Sequence, residues 1–238
     1  MTIVLAGVLM SKISLSENYI QVTDELGHKI GFGGNQNWFS KEPWNNISGQ
    51  GCGMIAAMDF SLYVTGARFI ELPEYQKLSE GFIKRNPFVN FSMHEFSKAG
   101  FSLGVLPRQI CRYINHSCPG IKASWDGVHG HKDMLEKMKA MISEDIPVIW
   151  AIYRFNRRLP LYDWDSRNNA YTIIGTTNSH YVNAISVIEN PELPVHKIMI
   201  EISSWGRQFF IDYDEYLEFV GSSILSRYCS NIVSIRKK

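Results

Sequence analysis

The chain has 238 residues, 45% apolar and 20% charged, enough to bury a sizeable core in one mid-sized domain or two closely packed lobes. Its 24 basic and 23 acidic residues leave a formal net charge of +1, which excludes a broad field attracting nucleic acid or anionic lipid. No stretch reaches the roughly 20 apolar residues of a membrane span. The cysteines, Cys52, Cys111, Cys118 and Cys229, have neither the density nor the spacing of a disulfide scaffold.

The apolar opening from Met1 to Met10 has no basic residue before it and reads as a buried first strand rather than a secretory signal. A reducing, cytoplasmic setting is the matching expectation. Residues 1–35 carry short β-prone stretches, punctuated by Glu25-Leu26-Gly27 and ending at Gly31-Phe32-Gly33-Gly34. They suggest a hairpin or a pair of edge strands. The glycines at 31, 33 and 34 lack the lysine and spacing of a phosphate loop. Residues 36–51 form a loop rich in Asn, Gly, Ser and Trp. Apolar residues at 55, 56, 58, 62 and 63 then predict a buried helix over 52–64, beginning at the thiol of Cys52.

From 66 to 125 the pattern is of broken helices. Glu74–Phe82 follows Pro73, Ser92 and Glu95 have capping-box spacing, and Pro107 stands where a first-turn proline would. His131–Glu144 is the clearest amphipathic helix, with Met134, Leu135, Met138, Met141 and Ile142 on its apolar face. Methionines at that spacing are packing residues rather than ligands. His129-Gly130-His131 reads as a turn and helix cap, because no cysteine or patterned acid joins it to make a metal site.

After Pro147 the pattern changes to strands at Val148–Arg154, Tyr171–Gly175, Tyr181–Ile188, Lys197–Ser203, Phe209–Ile211 and Ser230–Ile235. A helix over Asp212–Val220 separates the last two. Asp212-Tyr213-Asp214-Glu215 lacks the length and ligand rhythm of a calcium loop, and charge at a helix N-terminus explains it. The expected class is α+β in a single domain over 1–238. It comprises N-terminal strands (1–35), a mainly helical lobe (36–146) and a mainly antiparallel sheet lobe (147–238).

The chemistry centres on Cys52 in Gly49-Gln-Gly-Cys-Gly53. A thiol at a helix start meets converging backbone N–H groups, which favour the anion. His180 in the far half of the chain could be its base, although spacing alone does not bring the two together. A polar side chain at Ser203 could take a hydrogen bond from the imidazole, and Trp205 could keep water off that bond. The plainer readings are a buried thiol at a close-packed helix start and a core aromatic before the turn glycine Gly206.

Cys52-Gly-Met-Ile-Ala-Ala, His180-Tyr-Val-Asn-Ala-Ile and Ser203-Ser-Trp-Gly206 resemble the three active-site blocks of papain-like cysteine proteases. Their arrangement is similar to that of the C39-like branch, which includes bacterial peptide-processing proteases and uncharacterised relatives. Gly33–Phe39 and the run from His131 to Trp150 extend the similarity over roughly residues 31–235. The resemblance implies a papain-like fold, with a central nucleophile helix in a helical lobe packed on an antiparallel sheet lobe. It also implies Cys52 as nucleophile and His180 as general base and then general acid. Ser203 stands where the family carries Asn or Asp and brings neither a carboxylate nor an amide, so Asn183 or a water would help to orient the imidazole. The family's oxyanion Gln, six residues before the cysteine, is replaced by Asn46. Gln36 has the better side chain if the loop over 37–51 folds back, and both remain candidates.

The implied function is a cysteine peptidase or amidase acting on a peptide or small amide through an acyl-enzyme, with no metal and no cofactor. An acyltransferase using the same site, and a catalytically degenerate papain-like binding or scaffold protein, are the alternatives. No nucleic-acid or membrane partner is expected, and the sequence does not indicate an oligomeric state.

Overall fold

The computed structural model describes residues 2–5, 8–40, 47–86 and 104–238. The chain divides into two compact units that interleave along the sequence. The first comprises Met1–Glu17, Asp126–Ser203 and Gln208–Ile232, and the second Asn18–Trp125, Ser204–Arg207 and Val233–Lys238. The elements in chain order begin with β1 (Thr2–Leu5), β2 (Val8–Ser14), β3 (Gln21–Thr23), β4 (Lys29–Phe32) and a 3-10 turn over Gln36–Phe39. Next come α1 (Ile47–Gln50), α2 (Cys52–Val64), β5 (Phe69–Glu71), α3 (Leu72–Arg85), α4 (Pro107–Ser117) and β6 (Ile121–Ser124). A 3-10 turn over Gly127–His131 precedes α5 (Met134–Ser143), β7 (Val148–Tyr153), β8 (Leu159–Asp165), β9 (Ala170–Thr177) and β10 (Ser179–Glu189). The chain continues through β11 (Ile198–Ser204), β12 (Arg207–Asp212), α6 (Tyr213–Val220), α7 (Ile224–Cys229) and β13 (Ser234–Lys237). The fold is mixed α+β. Among the described residues, no helix is long and apolar enough to cross a membrane.

The first unit is organised by an eight-stranded sheet ordered β1-β2-β10-β11-β12-β8-β9, with β7 also paired to β10. One edge of β10 is shared, β7 pairing with 179–184 and β2 with 186–189, while β11 takes the other edge from 183 onward. A strand enclosed in this way reads as a nearly continuous apolar run, and Val182, Ala184, Ile185 and Val187 are accordingly buried. Helix α5 lies against β10, β2 and β7 and buries Met134, Met138, Met141 and Ile142. It starts three residues later than periodicity predicts, because Asp133 adopts a left-handed backbone at φ 54° after the 3-10 turn. His131 lies in the 3-10 turn ahead of α5 and reaches across to the C-terminal end of α7, whose C-cap is Ser230. Its Nε2 hydrogen-bonds the Ser230 carbonyl at 2.5 Å and its ring stacks on Tyr216.

In the second unit, α2 is apolar on every side and is buried from Gly53 to Phe60, as befits a core helix. Helices α3 and α4 lie against it. Tyr19 stacks on Tyr63 with ring centres 5.8 Å apart, and Phe82 meets Tyr113 at 5.0 Å. Two small sheets complete the unit, β4-β3-β5 and β13-β6.

Four expectations change. Residues 1–35, expected as a hairpin or a pair of edge strands, supply two antiparallel pairs in different sheets, β1 and β2 going to the first unit and β3 and β4 to the second. The helix predicted over 131–144 belongs with the sheet, so the helix-rich unit gives way at Trp125 and not at 146. The final strand is Ser234–Lys237, because Ser230 ends α7, and it pairs with β6 instead of joining the large sheet. Strand β8, which was not among the predicted strands, lies between β12 and the edge strand β9, with Pro160 opposite Thr176. The Ser92–Glu95 capping box lies outside the described residues.

Candidate active site

In the second unit, Cys52 is the first residue of α2 and is a part-exposed residue with a free thiol. Gly51 delivers the chain to it. Its N–H closes α1 on the Ile47 carbonyl at 2.7 Å, and its own carbonyl accepts the Ile55 N–H at 2.9 Å. A Cβ at 51 would collide with the Ile47 side chain and carbonyl, so the close turn requires glycine. Gly51 has no side chain to cap the helix, which leaves the first-turn N–H dipoles without a side-chain cap beside the sulfur.

The loop after β4 folds back onto the turn ahead of the cysteine. Gln36 donates from Nε2 to the Ser48 carbonyl at 2.7 Å, four residues before Cys52, while its Oε1 is buried with no hydrogen-bond partner among the described residues. Asn46 lies outside the described residues.

Beneath this loop is a buried polar centre that sequence reasoning passed over. The Asp59 carboxyl accepts the Gly34 N–H at 2.9 Å and the Tyr75 hydroxyl at 2.6 Å. Burial pushes its pKa up from 3.8 to about 7, against the lowering effect of those two donors. A Cβ on Gly34 would overlap the Tyr75 hydroxyl. The available signal was a lone carboxylate in the apolar helix run Met-Ile-Ala-Ala-Met-Asp-Phe, a placement tolerated only with partners.

Trp205 also belongs to the second unit. It is half-buried with a left-handed backbone (φ 47°), and the next residue, Gly206, is left-handed too (φ 71°). Gly206 accepts from the Phe32 N–H at 2.8 Å and donates to the Gly34 carbonyl at 2.9 Å, while Asn35 Nδ2 donates to the Trp205 carbonyl at 3.0 Å. Trp205 is thus the turn residue that ties the β11–β12 connection to the loop carrying Gln36.

In the first unit, His180 is the second residue of β10, opposite Ile152 of β7. It is 6% exposed, and burial pushes its pKa down from 6.5 to about 3. The imidazole is therefore neutral at neutral pH, and its burial opposes the uptake of a proton. Ser203 and Asn183 are both buried and stand directly opposite each other on β11 and β10. The ladder thus sets Ser203 opposite Asn183, three residues beyond His180 on the same strand. Among the described residues, no cluster of metal-ligating groups includes Cys52 or His180.

No protein-family model, no curated protein and no solved structure matches this chain.

Proposed function

We propose that this chain is a papain-like cysteine peptidase or amidase of the C39-like kind, with Cys52 as nucleophile and His180 as the proton-transfer group. The Cys52 S–H proton passes to the His180 imidazole as sulfur bonds to the substrate carbonyl carbon. The C–N bond then breaks and the imidazolium returns the proton to the departing amine. Water, deprotonated by His180, attacks the thioester and releases the acid and the free thiol. One observation carries the reading: a part-exposed cysteine opens the core helix, and a glutamine from upstream is hydrogen-bonded to the turn just before it. Such a site supports a thiolate and offers an amide near the developing oxyanion. A neutral imidazole is the form required of a base. Acyl transfer to an amine or thiol shares the first half of this sequence.

The second reading, a degenerate papain-like binding module, draws on the burial of His180, since a base held near pKa 3 has little driving force to take a proton from a thiol. One experiment separates the two. The full chain is exposed to a library of peptides and activated acyl donors, and adducts are mapped by mass spectrometry alongside iodoacetamide rates from pH 4 to 9. The enzyme reading expects an acyl adduct on Cys52, none in Cys52→Ala, and alkylation slowed at least about tenfold in His180→Ala. Ordinary thiol reactivity that is indifferent to His180→Ala, with no acyl adduct, favours the binding module.

A further inference from the structure

Two acids of the run Asp212–Glu215, read from sequence as helix-terminal charge, are joined by a histidine from outside it. His196, in the connection between β10 and β11, brings its Nδ1 to 2.8 Å from Asp212 Oδ2. One ligand atom each from His196, Asp212 and Glu215 lies within 4.8 Å of the others. All three residues belong to the first unit.

The hydrogen-bond arrangement leaves this group incomplete. Asp212 is 4% exposed, and its Oδ1 caps α6 by accepting the N–H groups of Asp214 and Glu215. Its Oδ2 is left for His196. Glu215 Oε1 accepts the Tyr162 hydroxyl at 2.7 Å, but Glu215 Oε2 is shielded from solvent with no hydrogen-bond partner among the described residues. Of the two carboxylates only Asp212 is hydrogen-bonded to the imidazole, and no Lys or Arg among the described residues forms an ion pair with either. A shielded carboxylate oxygen without a donor is costly, and a cation would complete it. The surroundings would strengthen such an ion's hold: the Tyr162 ring is 4.9 Å and the Tyr171 ring 5.8 Å from that of His196, with Phe210 packed on Tyr171.

We propose that His196, Asp212 and Glu215 bind a divalent transition-metal ion of the zinc class, a site that sequence reasoning did not expect. An imidazole with two carboxylates suits zinc and its neighbours, whereas calcium takes six to eight oxygens. Tetrahedral coordination at zinc distances sets ligand atoms about 3.3 Å apart, so the His196–Asp212 hydrogen bond opens slightly and Glu215 closes in. Three protein ligands leave the fourth position to water. The ion ties the β10–β11 connection to the first turn of α6.

The test uses the full chain, stripped with a chelator and then dialysed against Zn2+. Metal content is read by elemental mass spectrometry and stability by thermal melting. One retained equivalent, a higher Tm with Zn2+, and binding weakened at least about tenfold in both His196→Ala and Glu215→Gln support the site. Co2+ substitution should give visible bands without thiolate charge transfer, which separates this site from any use of the cysteines. Glu215→Gln is nearly isosteric and spares the Asp212 cap, and the wild-type stoichiometry and melt stand even if a variant fails to fold. No retained equivalent, an unchanged Tm, equal binding by both variants, or a thiolate spectrum overturns the proposal.

Discussion

Asp59 in the second unit and His180 in the first are both withdrawn from water, yet their burial pulls stability in opposite directions as pH changes. Each is pushed toward its neutral form, the carboxyl up to about 7 and the imidazole down to about 3. Between about pH 4 and 6.5 folded Asp59 keeps a proton that the unfolded chain has released, so its contribution falls as pH rises. Over the same window folded His180 lacks a proton that the unfolded chain holds, so its contribution is lost as pH falls. The lesson is that one physical cause, desolvation, gives a carboxyl and an imidazole opposite linkage. A chain holding both hides each from a bulk pH titration.

The largest effect expected from this comparison is at Asp59. Asp59→Leu leaves the Gly34 N–H and the Tyr75 hydroxyl buried without their acceptor, which should cost roughly 2–5 kcal/mol in urea unfolding at pH 5. A loss below 1 kcal/mol would mean that water replaces the carboxyl and the centre is less closed than its burial indicates.

The pH dependence comes next. Between pH 4 and 6 the two slopes cancel if the units unfold together. Asp59→Asn should then expose the His180 slope, a gain of about 1.4 kcal/mol per unit of rising pH, and His180→Gln the Asp59 slope, a loss of about the same size. If the units unfold separately, the parent itself should show two transitions moving in opposite directions. Identical pH profiles in parent and both variants would contradict both shifts.

The smallest effect concerns an ion pair in the sheet of the first unit. Lys12 Nζ is 2.9 Å from Glu201 Oε2, and Gln208 holds the other oxygen at 2.7 Å, but the lysine side chain is 39% exposed. Lys12→Met should therefore cost only about 0.5–1 kcal/mol, and less in high salt. A loss as large as that of Asp59→Leu would show this half-exposed pair to be as insulated as the Asp59 carboxyl.

Local pattern carried a good part of this outcome. The helix predicted over 52–64 is the helix found, because an apolar run long enough for a core helix is written within a few turns of chain. The first-turn Pro107, the buried methionines of α5 and the cap at Asp212 are equally local. The α+β class follows from the change of period after Pro147.

Other features depended on which distant surfaces are buried together, and no nearest-neighbour pattern records that. Nothing in Gln36 announces Ser48, and nothing in Ser203 announces that Asn183 stands opposite it on the ladder. The departure of β13 to β6, the division of the first 35 residues between two units, and the meeting of His196 with Asp212 and Glu215 are of the same kind. Periodicity and capping are set by contacts along the backbone and were legible from residue order. Strand register, loop closure and side-chain clusters are set by packing between segments far apart in the chain, and only the tertiary structure decided them.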